Sequence, residues 1–478
     1  MNAPASTLSF TLQQVLTALQ AEGVAARLHG DAQAVWQRVH TDSRTVQPGD
    51  LFVALRGARF DAHDFLPQVQ QQGATAALVE AGKPLPAGLN AIEVPQDTLH
   101  AMSAWARHWR RQWAGGLMAV TGSNGKTTVT QMLAAILRAE CGAAALATQG
   151  NLNNEIGVPL MTLRLRSQHR LAVLELGMNH PGEIAHLAQI AQPTVALVNN
   201  AQREHLEFMH TIDAVARENG SVFAALPADG VAVFPGDDAF TPLWRELAAG
   251  RPVLTFGGSA DCQVQLRKAQ WGATGWQAQV QTPQGVLDVA VPMLGRHNLR
   301  NALAAVACAV AAGVSPQAIV QGLRDFQPVQ GRSAFELRQS ADGALRYLID
   351  DSYNANPDSV KAAIEVLAEL PAPRTLVLGD MGEVGDQGEQ FHAEAGEYAK
   401  ARGIDHLLAL GAASVAAVAA FGDGAQHFDD MPALQAQMEQ TMQTHTSVLI
   451  KGSRFMGMER AVQRARECTQ PAAQESIA

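Results

Sequence analysis

Short apolar runs alternate with stretches of helical period along most of the chain. Leu51–Leu55, Ala74–Val79, Leu117–Val120, Leu171–Leu176 and Thr194–Asn199 are almost continuously apolar, the pattern of strands covered on both faces. Tyr347–Asp351, Thr375–Leu378, His406–Leu410 and Ser447–Ile450 repeat it nearer the C-terminus. Between them, apolar residues recur three and four apart, as in Val129, Met132, Leu133, Ile136 and Leu137, which predicts amphipathic helices. Thr11–Ala21, Asp97–Trp113 and Glu183–Gln192 read the same way, and Pro357 opens another helix. Only Gln263–Val291 alternates polar and apolar positions, around Gly272 and Gly285, which predicts antiparallel hairpins. Strand and helix in alternation predict an α/β protein with doubly wound, mostly parallel sheets. Trp105, Trp109 and Trp113 lie four apart on one helix face. Such a stripe could stack on a base, but core or domain-interface packing is the commoner use and the expectation here.

Composition narrows this picture. At 478 residues the chain exceeds one core, and about three domains are expected. The breaks in pattern place them at 1–96, 97–330 and 331–478. A formal net charge of -10 argues against nucleic acid as a partner. The four cysteines are far apart and form no C-x-x-C, as in a reducing compartment. No basic start with an apolar core is visible, and the Ala-rich run within Asn301–Val314 is too short to span a bilayer. A cytoplasmic protein without a transmembrane segment is expected, with a disorder-prone tail after Cys468.

The clearest chemistry is Thr121-Gly122-Ser123-Asn124-Gly125-Lys126-Thr127-Thr128, between a predicted strand and a predicted helix. That order is the context of a phosphate-binding loop: glycines turn backbone N–H groups inward and the helix N-terminus adds positive charge. Lys126 would reach the outer phosphates of ATP and Thr127 would complete a Mg²⁺ shell. The usual first glycine is missing, and Val120 stands in its place. Glu175 closes a buried strand, and ligands of α/β sheets bind beyond strand C-termini, so it is placed to face Thr127 across Mg²⁺. His205 follows another strand and could be a second metal ligand, though such a histidine is more often a polar loop residue. The stretch Thr148–Gly157, with Asn151, Asn153 and Asn154, is a loop rich in donors. Arg44 beside Ser43 could hold a phosphate, though a lone surface arginine is the commoner case. Polar clusters after several C-terminal strands would share one crevice for a second substrate.

These stretches resemble the Mur ligase family over nearly the whole chain. The carriers are the loop at 121–128, Glu175–His180, Gly295-Arg296-His297-Asn298, Asp350–Pro357, Gly379-Asp380-Met381 and Lys451-Gly452-Ser453-Arg454. The resemblance implies a three-domain Mur ligase architecture: an N-terminal UDP-substrate domain, a central P-loop ATPase and a Rossmann-like C-terminal domain. It implies a ligase that uses ATP and Mg²⁺ to join D-Ala-D-Ala to UDP-MurNAc-tripeptide through an acyl phosphate, as a monomer. By family position Lys126, Glu175 and His205 are catalytic, and Thr127, Glu175 and His205 bind Mg²⁺. Asn298, Arg332 and Asp351 would contact the nucleotide beside the loop residues, the last two brought in by domain closure. Ser43, Arg44, Asn151, Asn153, Asn154, Asn354, Asn356, Lys451, Ser453 and Arg454 would hold the other substrates.

One position departs from the family. Most members carry a lysine, carbamylated by CO₂, whose carbamate binds a second Mg²⁺; the matching stretch here is Ala216-Arg217-Glu218-Asn219-Gly220. No lysine occurs between Lys126 and Lys268, so no shift of register supplies one. The expectation is a carbamate-independent enzyme whose second Mg²⁺ depends on His205 with Asn219 or a nearby carboxylate. Glu218 would point about 100° away from Asn219 on the helix. The rival readings are another amide ligase of the same superfamily with a different amine or acid, a P-loop GTPase or kinase, and a nucleotide-gated scaffold. The chain lacks an Asn-Lys-x-Asp guanine motif, and its intact Lys126, Thr127, Glu175 and His205 favour a ligase.

Overall fold

The computed structural model describes residues 10–57, 59–95, 97–272 and 275–472. Its strands form one two-stranded ribbon and sheets of five, nine and seven strands in chain order. The five-stranded sheet runs Arg27–His29, Asn90–Val94, Ala76–Glu80, Asp50–Val53, Arg38–His40, parallel except for its first strand. One face is closed by Leu66 and Val69 over Phe52 and Val79. The other face is not a separate core. Leu51 and Leu78 belong to one apolar cluster with the helix Thr98–Arg111 and with Val158, Leu174 and Leu187 of the next unit.

The tryptophan stripe makes that junction. Trp105 is buried and meets Trp36 edge-on at 5.2 Å, and Trp109 meets Phe10 edge-on at 4.7 Å. The indole N–H groups of Trp109 and Trp113 donate to Leu165 O and His169 O, both at 3.0 Å. Arg110, on the same helix, buries its guanidinium against the carbonyls of Ala191, Gln192 and Trp113, and burial lowers its pKa to about 10. The aromatic face is packing, as its spacing predicts.

In the nine-stranded sheet, Gly116–Thr121 lies between Leu171–Glu175 and Val195–Val198, all parallel. The chain goes to one side of this strand first and to the other afterwards. The order therefore reverses at Gly116–Thr121, and the crevice of an α/β sheet opens at such a reversal. Val264–Gly272, Gly275–Thr282 and Gly285–Val291 extend one edge as the expected antiparallel hairpins; the residues at 273–274 lie outside those described.

The seven-stranded sheet is parallel through Ala425–Phe428, His406–Leu410, Arg374–Gly379, Ser447–Lys451 and Leu345–Asp351. Ala334–Gln339 then adds antiparallel. The tail departs from expectation: Gln470–Pro471 pairs with Arg338–Gln339 as an edge strand. Arg338 anchors it from below, donating to Arg466 O and Thr469 O, while residues 473–478 lie outside the described part. Among the described residues, no helix is long and apolar enough to cross a membrane.

Since Trp105 fills the seam between the first two sheets, Trp105→Ala should destabilise the chain by about 3–5 kcal/mol. A thermal or urea unfolding curve reads this, with the half-exposed Trp271→Ala as a near-neutral control.

Candidate active site

The loop Gly122–Gly125 leaves the central strand at the reversal point and enters the helix Lys126–Cys141. Val120 is still in the strand, paired with Glu175 and Leu197, so no glycine is needed there and the turn begins at Gly122. Gly125 has φ +80°, and a Cβ on it would sit 2.3 Å from Asn301 Oδ1. The loop is held from beneath by amides. Asn199 and Asn200 donate to Asn124 O at 2.7 and 3.0 Å, and Asn124 N donates to Asn200 Oδ1 at 2.9 Å. Asn199 also donates to Asn301 Oδ1, and Asn301 to Asn298 Oδ1. Asn298, expected at the nucleotide, is the buried end of this chain and donates to Leu294 O.

Lys126 folds back over the loop, donating to Gly122 O at 2.6 Å, Ser123 O at 3.1 Å and Glu204 Oε1 at 2.7 Å. Thr127 Oγ1 donates to Glu175 Oε1 at 3.2 Å and accepts from Arg332 at 3.3 Å. Asn153 donates to the same Glu175 oxygen at 2.7 Å. Thus Thr127, Glu175, Asn153 and Arg332 converge; the sequence had set Glu175 opposite Thr127, while Asn153 was expected at the other substrate. Thr121 and Thr128 are buried behind them, and the Thr121 hydroxyl donates to Asn219 Oδ1 at 2.7 Å.

His205 sits at the mouth of this group with φ +50°, in the left-handed region that non-glycine residues rarely occupy. Its Nδ1 lies 2.7 Å from Glu383 Oε2 and its Nε2 3.6 Å from Glu204 Oε1. Glu383 comes from the seven-stranded unit and is itself left-handed, φ +58°. The adjacent His205 imidazole outweighs burial and holds the Glu383 carboxyl below the usual carboxylate range.

The seven-stranded unit is docked over the loop. Asn356 caps its helix Pro357–Ala368 and donates across to Asn124 Oδ1 at 2.9 Å. Arg203 binds Asp358 through its backbone N–H and its guanidinium, reaches Glu394 at 3.0 Å, and lies over the Phe391 ring. Arg332 stacks on Tyr353 at 3.8 Å. Asp351 is tied to Lys451 at 2.5 Å and accepts from Ser333 N. Lys451 also donates to Asn354 O, and Ser453 joins Gly382 N to Ala355 O. Arg454 pairs with Glu459 on the surface and leans over Tyr353.

The other residues expected at the substrates make these contacts within the chain. Arg44 is exposed and forms a two-point pair with Asp42, whose carboxyl its hydrogen bonds lower to about 2. Ser43 offers its carbonyl to Gln68, Asn151 is exposed, and Asn154 caps the turn into Gly157–Thr162. Asn219 is fully buried; its oxygen serves Thr121 and its nitrogen donates to Val215 O, so it is not open to a cation. Glu218 indeed faces away, accepting from Gly182 N and Ile184 N.

Two carboxylate oxygens in the site, Glu175 Oε2 and Glu204 Oε2, are buried without a hydrogen-bond partner. Buried orphan acceptors beside a phosphate loop fit a hard divalent cation such as Mg²⁺. Among the described residues no group of three or more His, Cys, Asp or Glu forms a cage for a metal. The remaining ligands would come from phosphate and water, the usual arrangement for Mg²⁺ at nucleotide sites.

Three family descriptions match consecutive parts of the chain: Mur ligase family, catalytic domain, at residues 35–110; Mur ligase middle domain at 120–309; and Mur ligase, glutamate ligase domain, at 335–454. The chain belongs to the Mur ligase family. It is 42% identical to the UDP-N-acetylmuramoyl-tripeptide–D-alanyl-D-alanine ligase of Escherichia coli strain K12, over 96% of this chain and 99% of that enzyme. The crystal structure of MurF from Acinetobacter baumannii is 36% identical and superposes with a TM-score of 0.87, covering 97% of this chain and all of that one. MurF ligase from Thermotoga maritima, solved in complex with ADP, is 26% identical with a TM-score of 0.77, covering 90% and 97% of the two chains. This family is ATP-dependent, which the loop Gly122–Thr127 had already suggested.

The residues that the sequence did not single out are Asn199, Asn200, Arg203, Glu204 and Glu383. The run Asn199-Asn200-Ala201-Gln202 after a strand end was the one available signal, since its three amide side chains give a loop many donors. Arg203→Ala should weaken docking of the C-terminal unit by about 1–3 kcal/mol, because it removes the guanidinium from Asp358 and Glu394 and leaves Asp358 only the backbone N–H of residue 203. X-ray scattering would show a larger radius of gyration, and added protease would cut faster around residues 327–333.

Proposed function

We propose that this Mur ligase joins D-Ala-D-Ala to UDP-MurNAc-tripeptide, forming ADP, phosphate and UDP-MurNAc-pentapeptide in the cytoplasm. The observation that carries the reading is the convergence of Lys126, Thr127, Glu175 and His205 beneath a docked C-terminal unit. The named substrates of the E. coli relative, at 42% identity, favour this amine and acid over others of the superfamily.

The chemistry follows from what each residue can do. A peptide carboxylate is a poor acyl donor, so its oxygen is phosphorylated first. That gathers several anionic oxygens on the loop, where the Lys126 ammonium and the backbone N–H groups of the loop offset their repulsion in the transition state. Thr127, Glu175 and His205 would hold Mg²⁺, which supplies further positive charge to the phosphates when bound. Arg332, already at Thr127 and flattened on Tyr353, faces the same oxygens, and Asp351 is fixed by Lys451. The amine must arrive as its neutral base to attack the acyl phosphate. Docking of the 331–478 unit over the 97–330 unit excludes water that would hydrolyse that intermediate. The 1–96 unit, with Ser43 and Arg44, faces the UDP end in this reading, Arg44 exchanging Asp42 for phosphate.

Phosphate release should require ATP, Mg²⁺, UDP-MurNAc-tripeptide and D-Ala-D-Ala together, with a pentapeptide product by mass. Lys126→Ala should lower kcat by about 10²–10³-fold, as for other groups that meet charge in the transition state. Release that needed the nucleotide sugar but a different amine would keep the mechanism and overturn the substrate.

Asn219 adds a second prediction. Its amide is closed within the core, and no lysine carbamate can form there. Enzyme stripped of CO₂ should keep full activity, and bicarbonate should add nothing. A bicarbonate-dependent rise in rate would overturn carbamate independence.

A further inference from the structure

The proposed reading gives tasks to Lys126, Thr127, Glu175 and His205 but none to Glu204. Yet Glu204 is 8% exposed, with Oε1 on the Lys126 ammonium and Oε2 buried without a partner. A carboxylate is costly to bury unless its lone pairs are served, and one ion pair serves one oxygen. A buried orphan acceptor in a native fold marks a water, an ion or a function. Glu204 lines the cleft between the two units beside His205, Asn356 and Glu383. It cannot swing away readily. Arg203 before it is clamped to Asp358 and Glu394, and His205 after it is held in a left-handed turn.

Electrostatics decides what such a group does. Polyphosphate on the loop meets Lys126, whose charge Glu204 already offsets, and it also meets the unshared oxygens of Glu204 and Glu175. Without a cation that arrangement repels a nucleotide; with a divalent cation between carboxylate and phosphate it attracts one. Asn219 brings no charge to this side of the loop. We infer that Glu204 is a further anionic ligand of the divalent cation, and that it makes nucleotide binding conditional on that cation. This rests on the ATP- and Mg²⁺-using reading above.

The experiment is calorimetric titration of ADP into the full-length protein, with Mg²⁺ and with a chelator in its place. Wild type should bind ADP more tightly when Mg²⁺ is present. In Glu204→Gln that gain should shrink by about 10-fold or more. Binding without metal should be as tight as in wild type or tighter, because a repelling charge has gone; this also shows that the variant is folded and its loop intact. Mn²⁺ in place of Mg²⁺, followed by electron paramagnetic resonance on the ADP-loaded protein, should show weaker metal binding in the same variant. Glu207→Gln, at an exposed carboxylate three residues on, should match wild type. A Glu204→Gln protein that keeps the full Mg²⁺ gain would overturn the inference. So would an equal loss of ADP affinity with and without metal, which would make Glu204 only a support for Lys126. Wild type that binds no ADP under either condition would instead sink the ATP-using reading itself.

Discussion

The shape of the active centre depends on how the backbone of Gly122–Gly125 is pinned. A Cβ on Gly125 would collide with Asn301 and Asn199, and the loop carbonyl of Asn124 receives two side-chain amides. Asn199, Asn301 and Asn298 pass hydrogen bonds one to the next until the last donates to Leu294 O. A buried polar chain of this kind is rigid because each broken link leaves an unsatisfied group in a low dielectric. Loop position then fixes the start of the helix Lys126–Cys141, and with it the hydroxyl of Thr127. Glu175 is set independently, by strand register against Val120, so the pair meets without either side chain having to search.

Strain is concentrated where the C-terminal unit arrives. His205 and Glu383 are both left-handed, and they face each other at 2.7 Å across the junction. Non-glycine residues persist in that region only when their surroundings over-determine them, and such sites cluster where ligands or moving parts meet. The surroundings here are the Arg203 clamp, the Asn124–Asn356 bridge and the stack of Arg332 on Tyr353. Docking and the local geometry of the site therefore support each other. Loosening one relaxes the other.

Much of this was legible in the chain because it is local. Strands covered on both faces, a phosphate loop between strand and helix, and a carboxylate ending a buried strand each leave a signature within about ten residues. What was not legible is long-range pairing. Arg203 meets partners 155 and 191 positions away, and nothing near it in sequence announces them. Asparagine was the hardest residue to read. Asn153 reaches Glu175, Asn154 caps a turn, Asn356 caps a helix and bridges two units, and Asn298 is buried two amides beneath Gly125. One side chain can serve a ligand, a cap or a core equally well, and only the fold chooses. The tail shows the same limit, since the edge strand at Gln470–Pro471 exists through Arg338, far away in sequence.

Asn219 ties these points together. Fully buried, it serves Thr121 at the root of the loop, so the position supports the loop backbone with a neutral group. A neutral amide suits a closed core, where an uncompensated charge would be strongly disfavoured. The negative charge of the site must then come from carboxylates on its open side: Glu175 on the central sheet, Glu204 on the loop after the next strand, and Glu383 from the docked unit. Two of these three are held by the junction between units. With its charge on the junction side, the electrostatics of the site depend on whether the C-terminal unit is closed.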